Sequence, residues 1–156
     1  MTPGPASRLH GDTGQVGGIE VLPFGLLVFV AGTLLIANAW AVIDAKFATD
    51  AAARQAARTF VEGADPTDAR RDATAAARAA IAGHGRDPVR ARVEAAGPLR
   101  LERCARATFV VTYEVPAVSV PFVGGFGGAP FRVRSTHSEL VDPFRSGLPG
   151  DAGTCV

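Results

Sequence analysis

The chain has 156 residues, and its sixteen basic side chains are nearly balanced by fifteen acidic ones. A net charge of +1 gives no excess of positive charge for nucleic-acid binding. The length leaves room for one small domain beside a membrane segment.

The first elements in chain order are a polar, Gly-rich segment, residues 1–19, and a run from Val21 to Ile43 without any charge. As a helix this run spans roughly 35 Å, enough to cross the hydrocarbon layer once. We therefore predict a transmembrane helix over residues 20–43, preceded by a leader-like segment. Trp40, near the exit, is typical of headgroup depth.

Glycines precede a single acidic residue in the segment from Gly14 to Glu20, which leads directly into the apolar run. This segment resembles a class III leader, as found in type IV pilins, Flp pilins and the TadE-like proteins of tight-adherence pilus systems. The resemblance covers residues 14–62, with weaker similarity at residues 136–143. It implies processing by a prepilin peptidase at the cytoplasmic face of the membrane, with the C-terminal domain outside.

The leader has two candidate cleavage positions. Counting back from Glu20 as the fifth mature residue places the cut between Gln15 and Val16, whereas a cut after Gly14 makes Glu20 the sixth residue. An uncleaved chain is the third alternative. The resemblance implies that Glu20 pairs with the terminal amine of a neighbouring subunit and sets subunit register, because a carboxylate at the membrane edge is costly unless paired. The other interpretation is a charge that marks the membrane boundary.

The helical pattern continues over residues 44–63, which are rich in Ala, Arg and Gln and contain no Pro or Gly before the final residue. The pairs Asp50/Arg54 and Arg58/Glu62 are spaced to support a helix. We expect an apolar stripe that packs against the domain, formed by Phe47, Ala51, Ala53, Ala56, Ala57 and Phe60.

An extracytoplasmic α+β domain is predicted over residues 64–144. Its helix begins with Asp65 as the N-cap and Pro66 as the first helical residue, and it ends at Gly83. The expected inner face consists of Ala69, Ala73, Ala76, Ala77, Ala80 and Ile81.

From Val89 the apolar spacing changes to two, which predicts strands. We expect the first strand over residues 89–95 with Val89 facing inward, a second of one continuous parity over residues 99–115, and a third with Phe131 on its inner face. Three antiparallel strands with one apolar face need a cover, which the N-terminal helix can provide. The predicted fold class is α+β, pilin-like, with a transmembrane helix extended into the small domain.

Cys104 lies on the outward parity of the second strand, and Cys155 lies in the C-terminal tail, residues 145–156. We predict that a tail lying across the sheet brings them into a disulfide, which persists outside the cytoplasm. Neither Cys has a second ligand at a spacing of two to four residues, and His137 has no evident companion, so no metal site is predicted.

The Gly-rich stretch over residues 124–128 lacks the Lys-Ser/Thr ending of a phosphate-binding loop and is interpreted as a hairpin connection. Phe122 and Phe126 are expected to be exposed there and to contact a partner or lipid.

The histidines His10, His84 and His137 belong to no recognisable catalytic motif. We predict no catalytic residues and no cofactor.

The resulting hypothesis is a non-enzymatic, single-pass membrane subunit for assembly of a tight-adherence pilus or related secretion system. Its expected partners are the membrane, other pilin-like subunits, the pilus assembly platform and prepilin peptidase. One alternative is a signal-anchored extracytoplasmic binding module unrelated to pili. Another is a secreted enzyme released at Ala39 or Ala41, although the apolar run is longer than a signal peptide requires.

Overall fold

The computed structural model describes the backbone of residues 17–116 and 130–155, and the side chains of residues 21–116 and 130–155. The chain divides into two compact units between Ala37 and Asn38. The described part of the first unit is helical. The second unit contains two helical segments and a three-stranded sheet and is an α+β fold, as predicted.

Helix α1 spans Gly17–Glu62 and ends where the sequence predicts. Gly63 donates its N–H to the Phe60 carbonyl at 3.1 Å in the final turn. The buried face of the last five turns is mostly alanine and consists of Ala45, Ala48, Thr49, Ala52, Ala53, Ala56, Ala57 and Phe60. Phe47 was expected on this face but is 62% exposed, because its position lies on the opposite side of the helix.

Helix α2 spans Pro66–Gly83, with the predicted N-cap and first residue. The Asp65 carboxylate accepts from the N–H groups of Thr67 at 2.8 Å and Asp68 at 3.1 Å. These bonds satisfy two of the free donors at the start of the helix. The fully buried side chains of α2 are Ala69, Ala73, Ala77 and Ile81.

The sheet contains β1, Ala91–Ala95, β2, Arg106–Val115, and β3, Phe131–Leu140, in the order β1-β2-β3. Both pairings are antiparallel. The register aligns Ala91 with Tyr113 and Tyr113 with Val133, and it aligns Val115 with Phe131. One end of the sheet therefore contains the start of β1, the end of β2 and the start of β3.

Two residues at this end of the sheet, Val89 and Phe131, were predicted to face inward but are exposed. Val89 belongs to a short 3₁₀ helix, Pro88–Arg90, and is 88% exposed. The change of structure follows Pro88, whose fixed φ suits a helical turn. Phe131 has the expected parity but is 53% exposed. It forms the last register pair of β3, with Val115, and so lies at the sheet's margin.

The core lies between the two helices and the inner face of the sheet. Phe60 of α1 meets Phe109 of β2 with ring centroids 5.8 Å apart. The inner face buries Ala107, Phe109, Val111, Tyr113, Val115 and Val133. This face has the parity that the alternation of apolar and polar residues predicted for β2.

Residues 99–105 do not extend β2, although their alternation continues that of the strand. The chain instead turns at Glu102–Cys104, and Cys104 has a positive φ of 61°. Cys104 N–H donates to the Val141 carbonyl at 3.1 Å. The parity assigned to Cys104 was therefore wrong, because a residue in a turn belongs to neither face of the sheet.

The C-terminal tail packs against this turn and not across the sheet. Arg103 N–H donates to the Pro149 carbonyl at 2.9 Å, and its guanidinium donates to the carbonyls of Arg145 at 3.0 Å and Gly150 at 2.5 Å. Cys104 and Cys155, which the sequence analysis paired, form a disulfide. The tail is therefore attached through both main-chain contacts and a covalent bond.

Candidate membrane segment and its boundary

The part of α1 from Val21 to Ile43 presents apolar side chains to its surroundings on all sides. None of the residues in its most apolar window is buried. The large apolar side chains with the highest exposed fraction are Leu22, Phe24, Phe29, Leu35, Ile36 and Trp40. By length and composition this segment can cross a membrane.

The hydroxyl of Thr33, within this segment, is satisfied inside the helix. The Thr33 hydroxyl donates to the Phe29 carbonyl, four residues earlier, at 2.9 Å. This bond removes a free donor that would be costly in hydrocarbon. Pro23 lies in the second turn of α1, past the four N–H groups that have no partner within the helix, so it removes one hydrogen bond from that turn.

Arg86 contacts α1 at the point where the apolar run ends. Its guanidinium donates to Asp44 Oδ2 from Nε at 3.0 Å and from Nη2 at 2.7 Å, and to the Ala41 carbonyl at 2.8 Å. The guanidinium carbon lies 5.6 Å from the centre of the Tyr113 ring. Only 14% of the Arg86 side chain is exposed. These contacts join α1 to the loop after α2 and to the sheet.

Lys46 lies on a different side of α1 from Asp44 and contacts β3. Its ammonium donates to the Arg134 carbonyl at 2.7 Å and to Ser135 Oγ at 2.8 Å. It also lies 3.3 Å from Asp50 Oδ1, so Asp50 forms an ion pair with Lys46 where the sequence suggested Arg54. Ser135 Oγ lies 2.9 Å from Thr49 Oγ1, and both residues are buried. This polar cluster fixes α1 against β3.

The cluster lowers the pKa of Asp50 below its ordinary value of 3.8. Hydrogen bonding from Ser135 is the largest cause, and the hydrogen bond and positive charge of Lys46 act in the same direction. Partial burial opposes the shift because it disfavours the charged carboxylate. Asp50 is therefore ionised throughout the neutral range and stays available to Lys46.

Arg145 attaches the C-terminal end of α1 to the rest of the domain, as Arg86 and Lys46 do near the end of the apolar run. Its guanidinium donates to the carbonyls of Val61, Glu62 at 2.9 Å and Gly63 at 2.7 Å. The last carbonyls of a helix have no partner within the helix, and a cation there also suits the helix dipole. Arg145 thus links the C-terminal tail to the end of α1.

The residues predicted to act in processing and assembly are placed only in part. Glu20 lies within α1, and no side-chain geometry is described for it. Gly14, Gln15 and Val16 lie outside the described residues, as do Phe122 and Phe126 of the predicted contact loop. The boundary residues Arg86 and Lys46 were not predicted as sites.

The described histidines are His84, after α2, and His137, in β3. His84 is exposed after α2, and His137 Nε2 lies 3.1 Å from Glu139 Oε2. Within the described ranges, no three His, Cys, Asp or Glu side chains come together as metal ligands.

A surface groove of about 540 Å³ lies beside β1 and contains the side chains of Arg78, Arg92, Glu94, Glu114 and Arg132. Two ion pairs cross it, Arg132–Glu114 at 3.1 Å and Arg92–Glu94 at 3.9 Å. Its charges therefore largely satisfy one another. The chain matches no protein-family model, no curated protein and no solved structure.

Proposed function

We propose that the protein is a single-pass, pilin-like (TadE-like) membrane subunit that serves the assembly of a tight-adherence pilus or related secretion system and performs no catalysis. The observation that carries the proposal is the dual character of α1, Gly17–Glu62. Its residues 21–43 are apolar and exposed, whereas residues 45–60 supply one face of the domain's core. One helix thus provides both a membrane anchor and a structural part of the domain.

Two further features support placing the domain on the extracytoplasmic side. Cys104 and Cys155 are paired, and disulfides persist in oxidising compartments such as the cell envelope. The segment Gly14 to Glu20 resembles leaders whose peptidase acts at the cytoplasmic membrane face. In this topology the chain crosses the membrane once, with residues 1–19 in the cytoplasm.

Association with other subunits is the chemistry that the surface of α1 supports. Trp40, Ile43 and Phe47 follow one another at spacings of three and four residues, so they share one face, and all three are exposed. This face points away from the buried alanine face of α1. It extends the apolar surface past the first charges of the domain, where a second pilin-like helix can pack.

Glu20 has a specific role in this proposal. A carboxylate near the hydrocarbon edge is stabilised by an opposite charge, and the terminal amine of a processed neighbour supplies one. The pairing fixes the axial position of one subunit relative to the next. Without it, apolar helices have little to determine register.

The first test is the mature N-terminus of the membrane-extracted protein, measured by intact mass and terminal sequencing in cells with and without the prepilin peptidase. The expected result is a start at Gln15 or Val16 that requires the peptidase. A chain that keeps Met1 in both strains, and does not co-purify with pilin-like subunits, favours the signal-anchored binding module. A start near Trp40 or Val42 overturns the membrane-subunit proposal.

The second test is Glu20→Gln, with Glu102→Gln in the exposed turn as the matched control. Both changes remove one negative charge. We expect Glu20→Gln to lose co-purification with neighbouring subunits while the protein remains in the membrane fraction, and Glu102→Gln to retain it. Equal co-purification of the two variants contradicts the register role.

A further inference from the structure

The end of the domain nearest to Ala41 combines exposed apolar side chains with arginines. Val89, in the 3₁₀ helix, is 88% exposed, and Phe131, at the start of β3, is 53% exposed. Arg90 and Arg132 are their immediate neighbours in the chain and are exposed as well. We refer to Val89, Arg90, Phe131 and Arg132 as the rim.

The contacts of α1 locate the rim along the helix. Arg86, three residues before Val89, donates to the Ala41 carbonyl at 2.8 Å. The Arg134 carbonyl, three residues after Phe131, accepts from Lys46 at 2.7 Å. Both sides of the rim are therefore tied to α1 between residues 41 and 46. These are the residues at which the charge-free run ends.

That position corresponds to the headgroup layer if the apolar run crosses the bilayer, so this step rests on the proposed function. Ala41 and Lys46 are separated by about 7.5 Å along the helix axis. The polar layer on each side of the hydrocarbon is about 5 to 7 Å thick. Residues that contact this part of α1 are therefore at the depth of lipid headgroups.

We infer that the rim rests on the membrane surface, with Val89 and Phe131 inserted at the boundary between headgroups and acyl chains. Exposed apolar side chains beside arginines are the composition that binds an interface containing anionic lipids. Arg90 and Arg132 pair with Asp87 at 3.6 Å and with Glu114 at 3.1 Å. The unpaired positive charge beside the rim is therefore that of Arg134, whose exposed guanidinium forms no ion pair within the described part of the chain. Acidic phospholipid headgroups are the expected partner.

The chain provides its own spectroscopic test because it has a single tryptophan, Trp40. Phe131→Trp and Val89→Trp are each made on a Trp40→Phe background. The full-length protein is reconstituted into vesicles of phosphatidylcholine and phosphatidylglycerol that carry a quencher at the shallow end of the acyl chains. We expect both new tryptophans to lose emission intensity and shift to shorter wavelength relative to a detergent-solubilised sample.

Phe144→Trp on the same background is the matched control. Phe144 is 74% exposed, so it resembles the rim positions in accessibility. Its neighbour Arg145 contacts the carbonyls of Glu62 and Gly63, at the opposite end of the domain. The rise of α1 puts this site about 30 Å from Ala41 along the axis. Tryptophan at this position is expected to show no quenching.

Quenching of Trp40 in the unmodified protein distinguishes failure of the rim inference from failure of the membrane-segment proposal. Quenched Trp40 together with unquenched tryptophan at both rim positions overturns the rim inference and leaves the membrane segment intact. Unquenched Trp40 overturns the membrane segment and the rim inference with it. Equal quenching at positions 89, 131 and 144 contradicts a specific rim.

A charge variant tests the role of anionic lipid. Arg134→Gln on the Phe131→Trp background is expected to reduce quenching in vesicles containing phosphatidylglycerol to the level seen with phosphatidylcholine alone. Arg106→Gln is the control, since Arg106 lies at the other end of the sheet, in register with Leu140. If both variants behave alike, the electrostatic part of the inference is wrong.

Discussion

Two side chains near the end of the apolar run, Arg86 and Lys46, attach α1 to the rest of the domain. Arg86 donates hydrogen bonds to α1 from the loop after α2, and Lys46 donates hydrogen bonds from α1 to β3. Neither arrangement follows from local sequence. The partners of Arg86 are 42 and 45 residues away, and those of Lys46 are 88 and 89 residues away.

Replacing Arg86 with Ala is predicted to destabilise the domain by about 2 kcal/mol, since it removes charge-assisted bonds to Asp44 and Ala41 made by a side chain that is only 14% exposed. Arg58→Ala is the control. Arg58 bonds the carboxylate of Glu62, four residues away, at 2.9 Å, but this pair is exposed and should contribute much less than the Arg86 contacts. Urea unfolding of the detergent-solubilised protein measures both changes. Equal losses would contradict the importance assigned to the Arg86 contacts.

Asp50 gives a prediction about pH. Its pKa in the folded protein is lowered, chiefly by Ser135 and then by Lys46. The unfolded chain therefore takes up a proton before the folded one as pH falls, so the contribution of Asp50 is complete above about pH 5 and is lost below its folded pKa. Asp50→Asn should flatten the fall in midpoint urea concentration on acidification below pH 5. Asp151→Asn, in the exposed tail, should retain the wild-type slope.

At the level of elements, the joint between α1 and α2 is determined by close packing. A Cβ on Gly63 would overlap the Cβ of Ala69 and lie 3.2 Å from the Phe60 carbonyl oxygen. Gly63 thus allows the start of α2 to approach the end of α1. Gly83, at the other end of α2, has no neighbouring atom within 4 Å of such a Cβ.

Gly63→Ala is predicted to cost about 1 to 3 kcal/mol through overpacking. In an Ala69→Gly background the same change should cost much less, because the nearest atom has been removed. Gly83→Ala should be neutral or slightly stabilising. Thermal unfolding of the four variants and the parent gives the coupling between positions 63 and 69. Additive effects of the two substitutions would show that the steric account is wrong.

The elements also show which parts of the fold can be read from sequence. The N-cap of α2 and the end of α1 depend on neighbouring residues, and both were predicted correctly. Residues 99–105 were assigned to a strand because their alternation matches that of β2, but a turn interrupts it at Cys104. Val110 has the outward parity and is nevertheless buried, as it lies in the central strand between Glu94 and Thr136.

The long apolar helix could be predicted because a long charge-free run is a property of the sequence itself. The boundary contacts could not, since they depend on how distant loops meet α1. Exposure at the rim was missed for the same reason. Phe131 follows the alternation of β3 but forms its last register pair, at the margin of the sheet, and Val89 belongs to the 3₁₀ helix that precedes β1.

At the scale of the whole molecule, the C-terminal tail connects two parts of the domain. It is attached to the turn by hydrogen bonds at Arg103 and by the disulfide at Cys104, and Arg145 bonds it to the end of α1. The disulfide closes a loop between residues 51 positions apart. Its effect is therefore expected to extend beyond the tail.

Cys104→Ser is predicted to lower the free energy of unfolding by about 2 to 4 kcal/mol, as loop-closure entropy returns to the unfolded chain. Treatment of the wild-type protein with reductant should lower its midpoint by a similar amount, and reductant should not affect the variant further. Urea unfolding under oxidising and reducing conditions provides the comparison. A wild-type midpoint that does not respond to complete reduction would contradict the prediction.

Lys46 is the sole lysine in the sequence, so a lysine-specific protease has one target on the entire chain, the bond to Phe47. That bond lies within α1, and the lysine side chain is engaged with Arg134 and Ser135. A protease requires an extended substrate, so the cut occurs only when this turn opens. The single cleavage separates the apolar segment from the domain. Its rate therefore measures how often α1 unfolds locally around Lys46.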